Sequence, residues 1–442
     1  MYGEGGLFGG GNQDRYKKDI LNERENFFHK PLVNLNHYLT INDRMNLSSI
    51  VYWSGGSGGG TGTYDNRIAD GDGTTGAFIW DYSGPSRLAD WDGNIAMNQG
   101  TEDRKGNVKT AGESLAIIRN SINRQNTYGV ISKFNFDMSD AIKLQFGLDW
   151  RTAGIEHARE VRDLLGGTFF TRYGNANDGD NGAQVGLGDI IAYHNETTVD
   201  WIGGFLQGNY TKDKLNLYGM GGVSSIEYSY QDHFTIEDAV IKADPISTYQ
   251  VKGGALYNVN ENLGVFLNTG YVQKAPILDN VIYYDGTVAS DPDNEKFLHN
   301  EIGANFGTNK LGVRVSAYNT DWLDRNLTKS VETGQGSSGD TDIIFLKGVN
   351  QKHQGLEIET KVKPHDMVEL DLIASYGNWK FVGDADGTYQ EQEFNDDNQV
   401  IGVQTTEYSY ALDGLYVGDM PQTSYILGVT LKPIKGLRLQ AL

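Results

Sequence analysis

The chain repeats one pattern from residue 31 to its end: two runs of alternating apolar and polar residues joined by a short turn, followed by a long polar segment. The seven short turns fall at 41–46, 138–142, 211–214, 259–264, 307–311, 363–368 and 433–436. Each turn separates two runs of about ten residues, the length that crosses a bilayer as a tilted strand. Short turns on one side and long loops on the other are typical of an outer-membrane β-barrel, where the turns are periplasmic and the loops extracellular. Seven turns predict about fourteen antiparallel transmembrane strands.

The alternation also predicts which side chains face lipid and which face the lumen, because neighbouring residues of a strand point to opposite faces. The residues expected to face lipid are Leu144, Phe146, Leu148, Leu370, Leu372, Leu427 and Val429. The residues expected to line the lumen are Lys143, Glu357, Glu359 and Asp371. A soluble antiparallel sheet with one wet face is the alternative. It accounts less well for so many strand pairs with short turns on one side only.

Composition excludes several other classes of protein. Only 38% of the residues are hydrophobic, and the longest uncharged stretches fall far short of a spanning helix. The net charge of −21 argues against a nucleic-acid partner, since phosphate binding needs a cationic surface. Without cysteine, the chain has no disulfide and no thiolate chemistry. We expect neither a cofactor nor an enzymatic activity.

Two motifs resemble catalytic or metal sites without completing them. Residues 55–59 (GGSGG) match the G-x-S-x-G nucleophile elbow, but the following GTGT is a poor helix start, so we interpret them as the tip of a glycine-rich loop. The eight histidines are scattered and form no H-E-x-x-H pair, so we expect no zinc hydrolase and no metal site. The acidic segments 70–73 and 177–182 lack the glutamate of an EF-hand loop. We expect them to be solvated loops, with a weak calcium site as the alternative.

Four aromatic residues occur among glycine, aspartate and serine in the longest predicted loop: Phe78, Trp80, Tyr82 and Trp91. At an extracellular mouth they could stack on a ligand, and they are our candidate ligand-binding residues. The alternative, which we favour, is that they pack the loop against its neighbours.

Several segments, in order along the chain, resemble TonB-dependent receptor barrels. They are 26–31 (NFFHKP), 35–38 (LNHY), 118–123 (IRNSIN), 147–151 (GLDWR), 156–161 (EHAREV), 270–276 (GYVQKAP), 300–303 (NEIG), 317–322 (AYNTDW) and 355–357 (GLE). The resemblance covers nearly the whole chain and implies a receptor of the bacterial outer membrane. It further implies a 22-stranded barrel around an N-terminal plug, whose TonB box is pulled by the TonB complex.

The resemblance implies active uptake of a siderophore, a metal chelate, a cobalamin-like molecule or an oligosaccharide. A passive porin and a surface-exposed binding or adhesion barrel are the alternatives. We expect residues 1–442 to form part of such a barrel domain, without plug or TonB box and with C-terminal strands truncated, because no signal peptide begins the chain and its last strand has just started. The TonB complex would then be contacted by the missing N-terminal part, and the other expected partners are outer-membrane lipid and a small-molecule or oligosaccharide ligand.

Overall fold

Fourteen long antiparallel strands follow one another in the chain and in space. The computed structural model describes residues 23–70, 73–83, 88–178, 182–234, 240–283, 286–290, 292–332, 341–394, 400–418 and 420–441. The long strands are β1 (Leu32–Asn42), β2 (Met45–Asp65), β3 (Ala116–Asp137), β4 (Ile142–Asp163), β5 (Ile190–Lys212), β6 (Leu215–Asp232), β7 (Ile246–Asn258), β8 (Leu263–Lys274), β9 (Glu295–Gly307), β10 (Leu311–Glu332), β11 (Thr341–His365), β12 (Val368–Phe381), β13 (Thr423–Ile434) and β14 (Leu437–Ala441).

Each long strand pairs with the next, so the connections alternate between the two ends of the sheet. All seven predicted short turns join strands at one end, and the six long connections lie at the other. The sheet contains 18 strands in total. Its four additional strands are Asn26–His29, Val240–Lys242, Ala385–Phe394 and Val400–Tyr410. Within the described residues, β1 pairs only with β2 and β14 only with β13.

The remaining elements lie in the long connections. They are seven short strands, a helix and a 3-10 turn: Arg67–Asp70, Gly73–Gly76, Trp80–Asp81, Leu88–Ala89, Glu113–Ser114, Phe169–Arg172, Ala183–Val185, α1 (Trp91–Gln99) and Leu278–Asn280. None of the helices in the described ranges is long and apolar enough to cross a bilayer.

Several strands are about twice as long as the runs that the sequence predicted. Strands β2 to β5 contain 21 to 23 residues each, so their far halves extend well beyond a span of about ten residues. The hairpins continue away from their short turns because each added residue keeps its backbone groups paired with a neighbouring strand. The long polar segments after β2 and β4 are correspondingly shorter than the alternation indicates: they run from 66 to 115 and from 164 to 189.

The glycine-rich segment 55–59 is therefore not a loop tip, and that interpretation is wrong. It lies inside β2, between β3 and the strand Asn26–His29. A side chain at Gly58 or Gly59 would meet the backbone oxygen of Phe27 or Ser121. Glycine is required here because three backbones approach closely, and not for a nucleophile elbow.

The connection between β2 and β3 has its own hydrophobic core. The core also includes residues at the start of β3 and just after β4. Its buried residues are Ile68, Ala77, Phe78, Trp91, Met97, Leu115, Ala116, Ile118 and Leu165. Helix α1 is capped by Asp90, whose carboxylate accepts a hydrogen bond from the Gly93 amide at 2.9 Å. The fully buried Asn98 donates to the carbonyl oxygens of Ala116, Leu164 and Leu165. The sequence did not predict this helix, since its hydrophobic residues show no helical periodicity.

Candidate functional site

The polar face of strands β9 to β12 carries a cleft of about 450 Å³, which we call the aromatic cleft. Its walls are formed by Phe297, His299, Glu301, Tyr318, Thr320, Trp322, His353, Glu357 and Trp379. All lie at alternate positions of their strands. The period-two geometry therefore brings residues that are far apart in sequence onto one continuous surface.

The register aligns one row of this cleft directly across four strands. His299 pairs with Thr320, Thr320 with His353, and His353 with Trp379. The His299 Nδ1 and Thr320 Oγ1 atoms are 2.7 Å apart, and the His353 and Trp379 rings lie 5.4 Å apart. One row further from the short turns, Phe297 and Trp322 have ring centroids 4.8 Å apart. The cleft therefore presents a nearly continuous aromatic surface.

Hydrogen bonds hold the two tryptophan rings of the cleft. The Trp379 Nε1 donates to the Tyr318 hydroxyl at 2.9 Å, and the Trp322 Nε1 donates to Glu295 Oε2 at 3.0 Å. A side chain at Gly355, between Tyr318 and Trp379, would collide with the Tyr318 hydroxyl. Glycine at 355 thus allows Tyr318 to lie flat across β11, and the ring orientations are set before any ligand arrives.

The charged residues that line the cleft are two glutamates, and the Arg325 guanidinium lies beside them, 4.1 Å from the centroid of the Trp322 ring. The Glu301 carboxylate accepts from Asn268 at 2.8 Å and contacts Arg314 at 3.3 Å, which fixes its position. Glu357 lies on the same face and is exposed. The two carboxylates and the guanidinium groups of Arg314 and Arg325 balance formally, and a cleft of low net charge suits a neutral ligand.

The four residues predicted to line the lumen share the face of the aromatic cleft. Tracing the register from β4 to β12 places Lys143, Glu357, Glu359 and Asp371 on that polar face. Leu372 lies on the opposite face and pairs with Leu427 of β13. That the polar face borders the lumen stays a prediction. Of the four residues, only Glu357 belongs to the cleft.

Three of the four loop aromatics are brought together, in the core of the β2–β3 connection. Phe78 lies 4.6 Å from Trp80 and 5.9 Å from Trp91, measured between ring centroids. Phe78 and Trp91 are buried, whereas Tyr82 is 68% exposed. The described geometry is that of rings packing the connection, and a ligand role for these residues remains a prediction.

The two acidic segments lie partly outside the described residues, since 71–72 and 179–181 are not described. Within the second segment, Asp178 is not solvated as expected. Its carboxylate accepts two hydrogen bonds from the Arg172 guanidinium, each at 2.8 Å, and is 13% exposed.

The architecture first defines the class of protein. The chain forms an antiparallel sheet with one apolar face, short turns at one end and long, partly folded connections at the other. This is the architecture of an outer-membrane β-barrel. The particular family follows from comparison with known proteins. Residues 16–439 match the family described as TonB dependent receptor-like, beta-barrel, and the chain belongs to that family. Barrels of this family are bacterial outer-membrane proteins.

Solved structures agree on the fold at low sequence identity. The copper transporter OprC is similar with a TM-score of 0.54 and 10% identity, over 95% of this chain and 60% of that one. The ferric citrate transporter FecA in its unliganded form is similar with a TM-score of 0.50 and 10% identity, over 92% of this chain and 54% of that one. The chain thus spans little more than half the length of these transporters. No curated protein matches it in sequence.

Proposed function

We propose that this chain is the barrel part of a TonB-dependent uptake receptor and that the aromatic cleft contacts the ligand on the inner wall. Family membership supports the receptor over a passive porin or an adhesion barrel. Energy coupling belongs, in this proposal, to the plug and TonB box that the family implies. The neighbours named above transport copper and ferric citrate, but their 10% identity carries only the fold.

We further propose that the ligand is neutral and built of rings, with an oligosaccharide as the best match. The single observation that carries this is a series of neighbouring rings, Phe297, Trp322, His353 and Trp379, with successive centroids 4.8, 6.5 and 5.4 Å apart. Flat aromatic surfaces bury the C–H faces of sugar rings, and carboxylates accept hydrogen bonds from hydroxyl groups. An anionic ferric chelate would find little net positive charge here, because Arg314 is paired with Glu301 and Arg325 lies over the Trp322 ring.

Membership of the family supports a further proposal, that additional strands close the sheet in the membrane. An open sheet edge in lipid leaves backbone groups without partners, at a cost of several kcal/mol each. Twenty-two strands, the number that the family resemblance implies, would require eight besides these fourteen.

The ligand proposal is tested by calorimetric titration of the purified receptor in detergent with a series of neutral oligosaccharides and with anionic ferric chelates. Removing the ring in Trp379→Ala should weaken oligosaccharide binding about tenfold or more, which corresponds to about 1.4 kcal/mol. Trp150→Ala is the matched control, because Trp150 is 41% exposed on the opposite face of the sheet. If the anionic chelate binds more tightly and Trp379→Ala weakens that binding, the cleft is the ligand site but the ligand is not an oligosaccharide. Equal affinities of the two variants for every ligand would overturn the cleft itself.

A further inference from the structure

A second cluster of functional side chains lies away from the aromatic cleft, at the long-loop ends of β4, β5 and β6. His194, Glu196 and His233 each have one possible metal-ligand atom, and these three atoms all lie within 4.8 Å of one another. In the described part of the chain no other three histidine, aspartate or glutamate residues converge in this way. A fourth side chain joins them, since Glu156 Oε1 lies 3.3 Å from the Nε2 atom of His194.

Backbone pairing holds the two imidazoles together. The His233 amide donates to the His194 carbonyl oxygen at 2.8 Å, and the His233 carbonyl oxygen accepts from Asn177 at 3.1 Å. The rings are 4.6 Å apart, and the His233 Nε2 lies 3.7 Å from Glu196 Oε1. Both histidine side chains are 24% exposed, whereas their Nε2 atoms are buried, so the strands order the cluster and shield these nitrogens from solvent.

The local charge matches a divalent cation. Arg124 contacts Glu156 at 3.0 Å and Glu160 at 2.6 Å. With Glu196, the three carboxylates and one guanidinium leave a formal charge of −2 when the histidines are neutral. Neutral imidazole and carboxylate are the ligand types that Zn²⁺ and similar ions take, and Arg124 holds Glu156 beside His194 as a supporting carboxylate.

The distances need only side-chain rotations to reach coordination. Zinc binds imidazole nitrogen and carboxylate oxygen at about 2.0–2.2 Å, so tetrahedral ligand atoms lie roughly 3.4 Å apart. The 3.7 Å between His233 Nε2 and Glu196 Oε1 is already near that separation, and ligand atoms up to 4.8 Å apart must approach by little more than an ångström. Rotations about side-chain torsions of partly exposed residues supply such movements.

The cluster lies on the face of the sheet opposite to the aromatic cleft, which is the outer wall above the membrane in the proposed barrel. His194 and Glu196 occupy the same face of β5 as Ile202 and Leu206, which are 52% and 48% exposed. They lie at the end of β5 far from its short turn, beyond a membrane span of about ten residues. A cation bound there would tie β4 and β5 to the end of β6 at the cell surface, on the opposite face from the proposed uptake route.

From these contacts we propose that His194, Glu196 and His233, supported by Glu156, bind a divalent transition-metal ion of the zinc class on the outer wall of the barrel. The site is independent of the proposed uptake function, because none of its residues belongs to the aromatic cleft. The set of two imidazoles and one carboxylate leaves a coordination position for water or a surface ligand.

The test uses Zn²⁺ alone, titrated into the metal-free receptor in detergent against a chromogenic zinc chelator. One saturable site is expected, and His194→Gln/His233→Gln should weaken it about 100-fold or more. Glu156→Gln, which removes only the supporting carboxylate, should weaken it by about 10- to 100-fold. His29→Gln/His37→Gln is the matched control, because it removes the same number of imidazoles at exposed positions of other strands.

A second measurement separates coordination from a purely structural role of the histidine pair. Co²⁺ in the wild-type site should give the visible absorption of a low-symmetry, nitrogen-containing site, and the His194→Gln/His233→Gln spectrum should be that of aqueous Co²⁺. Circular dichroism checks that each variant keeps its strands. Absence of a saturable Zn²⁺ site in the wild type, or equal affinity in both double variants, would overturn the proposal.

Discussion

At the scale of single residues, Asn98 shows how a buried amide side chain can satisfy both its donor and its acceptor atoms. Asn98 is fully buried in the β2–β3 connection, and its side chain both donates and accepts. Its amide oxygen accepts from the Leu115 amide at 3.0 Å, while its amide nitrogen donates to three carbonyl oxygens. One side chain thus holds together α1, β3 and the end of β4.

Asn98→Ala should loosen this connection, because the truncation leaves buried backbone groups without partners. The expected loss is roughly 3 kcal/mol of local stability, from a cost of about 1–3 kcal/mol for each unsatisfied group. Limited proteolysis of the receptor in detergent measures it as faster cleavage between β2 and β3. Asn107→Ala, at an exposed position of the same connection, should change the rate little. Equal protease resistance of Asn98→Ala and the wild type would contradict the prediction.

Asp65, at the end of β2, makes the same region sensitive to pH. Burial raises the pKa of its carboxyl group, although the Phe78 amide, which donates to it at 2.7 Å, pulls the pKa down. With a folded pKa above the unfolded one, the folded state binds more protons. Local stability should therefore fall as pH rises from the ordinary aspartate range through the raised folded value.

Asp65→Asn keeps the shape and an acceptor oxygen while removing the titration. The variant should be more resistant to local opening than the wild type at neutral pH. Its local stability should not change with pH across the acidic range. Hydrogen exchange of the 66–80 amides, measured at several pH values and corrected for intrinsic exchange rates, reports this. A wild-type region that becomes more protected as pH rises would reverse the sign and refute the argument.

At the scale of elements, β12 shows how one strand serves two environments. Leu372 is 43% exposed on the apolar face, whereas Asp371 lies on the polar face with its carboxylate 3.6 Å from the Lys361 amine. Leu372 is the fifth residue of β12, near the middle of a span of about ten residues, while Leu370 is closer to the short turn. Leu372 is therefore the better position to test the faces.

Leu372→Arg should cost about 2–4 kcal/mol of unfolding free energy, as expected for a charge on the lipid face at mid-membrane. Asp371→Asn should cost about 1 kcal/mol or less, because it breaks only a partly exposed ion pair. Urea unfolding of the complete barrel in lipid vesicles compares the two. Similar costs for both variants would show that the faces are assigned wrongly.

At the scale of the whole molecule, the alternation of connections gives the barrel two different ends. Short turns such as the one at 366–367 lie at one end, and the folded connection that contains Val108 lies at the other. Since the sequence contains no cysteine, a single introduced thiol reports on its own position without background.

Val108→Cys should therefore react on intact cells with a maleimide reagent too large to cross the outer membrane. Val108 is 86% exposed, and Asp366 in the β11–β12 turn is exposed as well. Asp366→Cys should react only after the outer membrane is permeabilised, because short turns face the periplasm. Labelling of Asp366→Cys on intact cells would invert the proposed topology.

The sequence alone determined the number of long strands, their turns and their two faces, because period-two alternation and short turns are local properties. It also contained pairings that we did not use. A short turn sets the register of its own hairpin, so His299 opposite Thr320 and His194 opposite His233 could be counted outward from their turns. The spacing His194-x-Glu196 on one strand face was a further unused signal of the metal cluster.

Only the tertiary structure decided how one hairpin lies against the next. Thr320 meets His353, and Glu156 meets His194, across long connections whose length sets no register. The same holds for the core around Asn98, whose partners are spread over β3 and the end of β4. The aromatic cleft and the outer-wall cluster both cross such boundaries, so each became visible only when the folded chain brought its strands together.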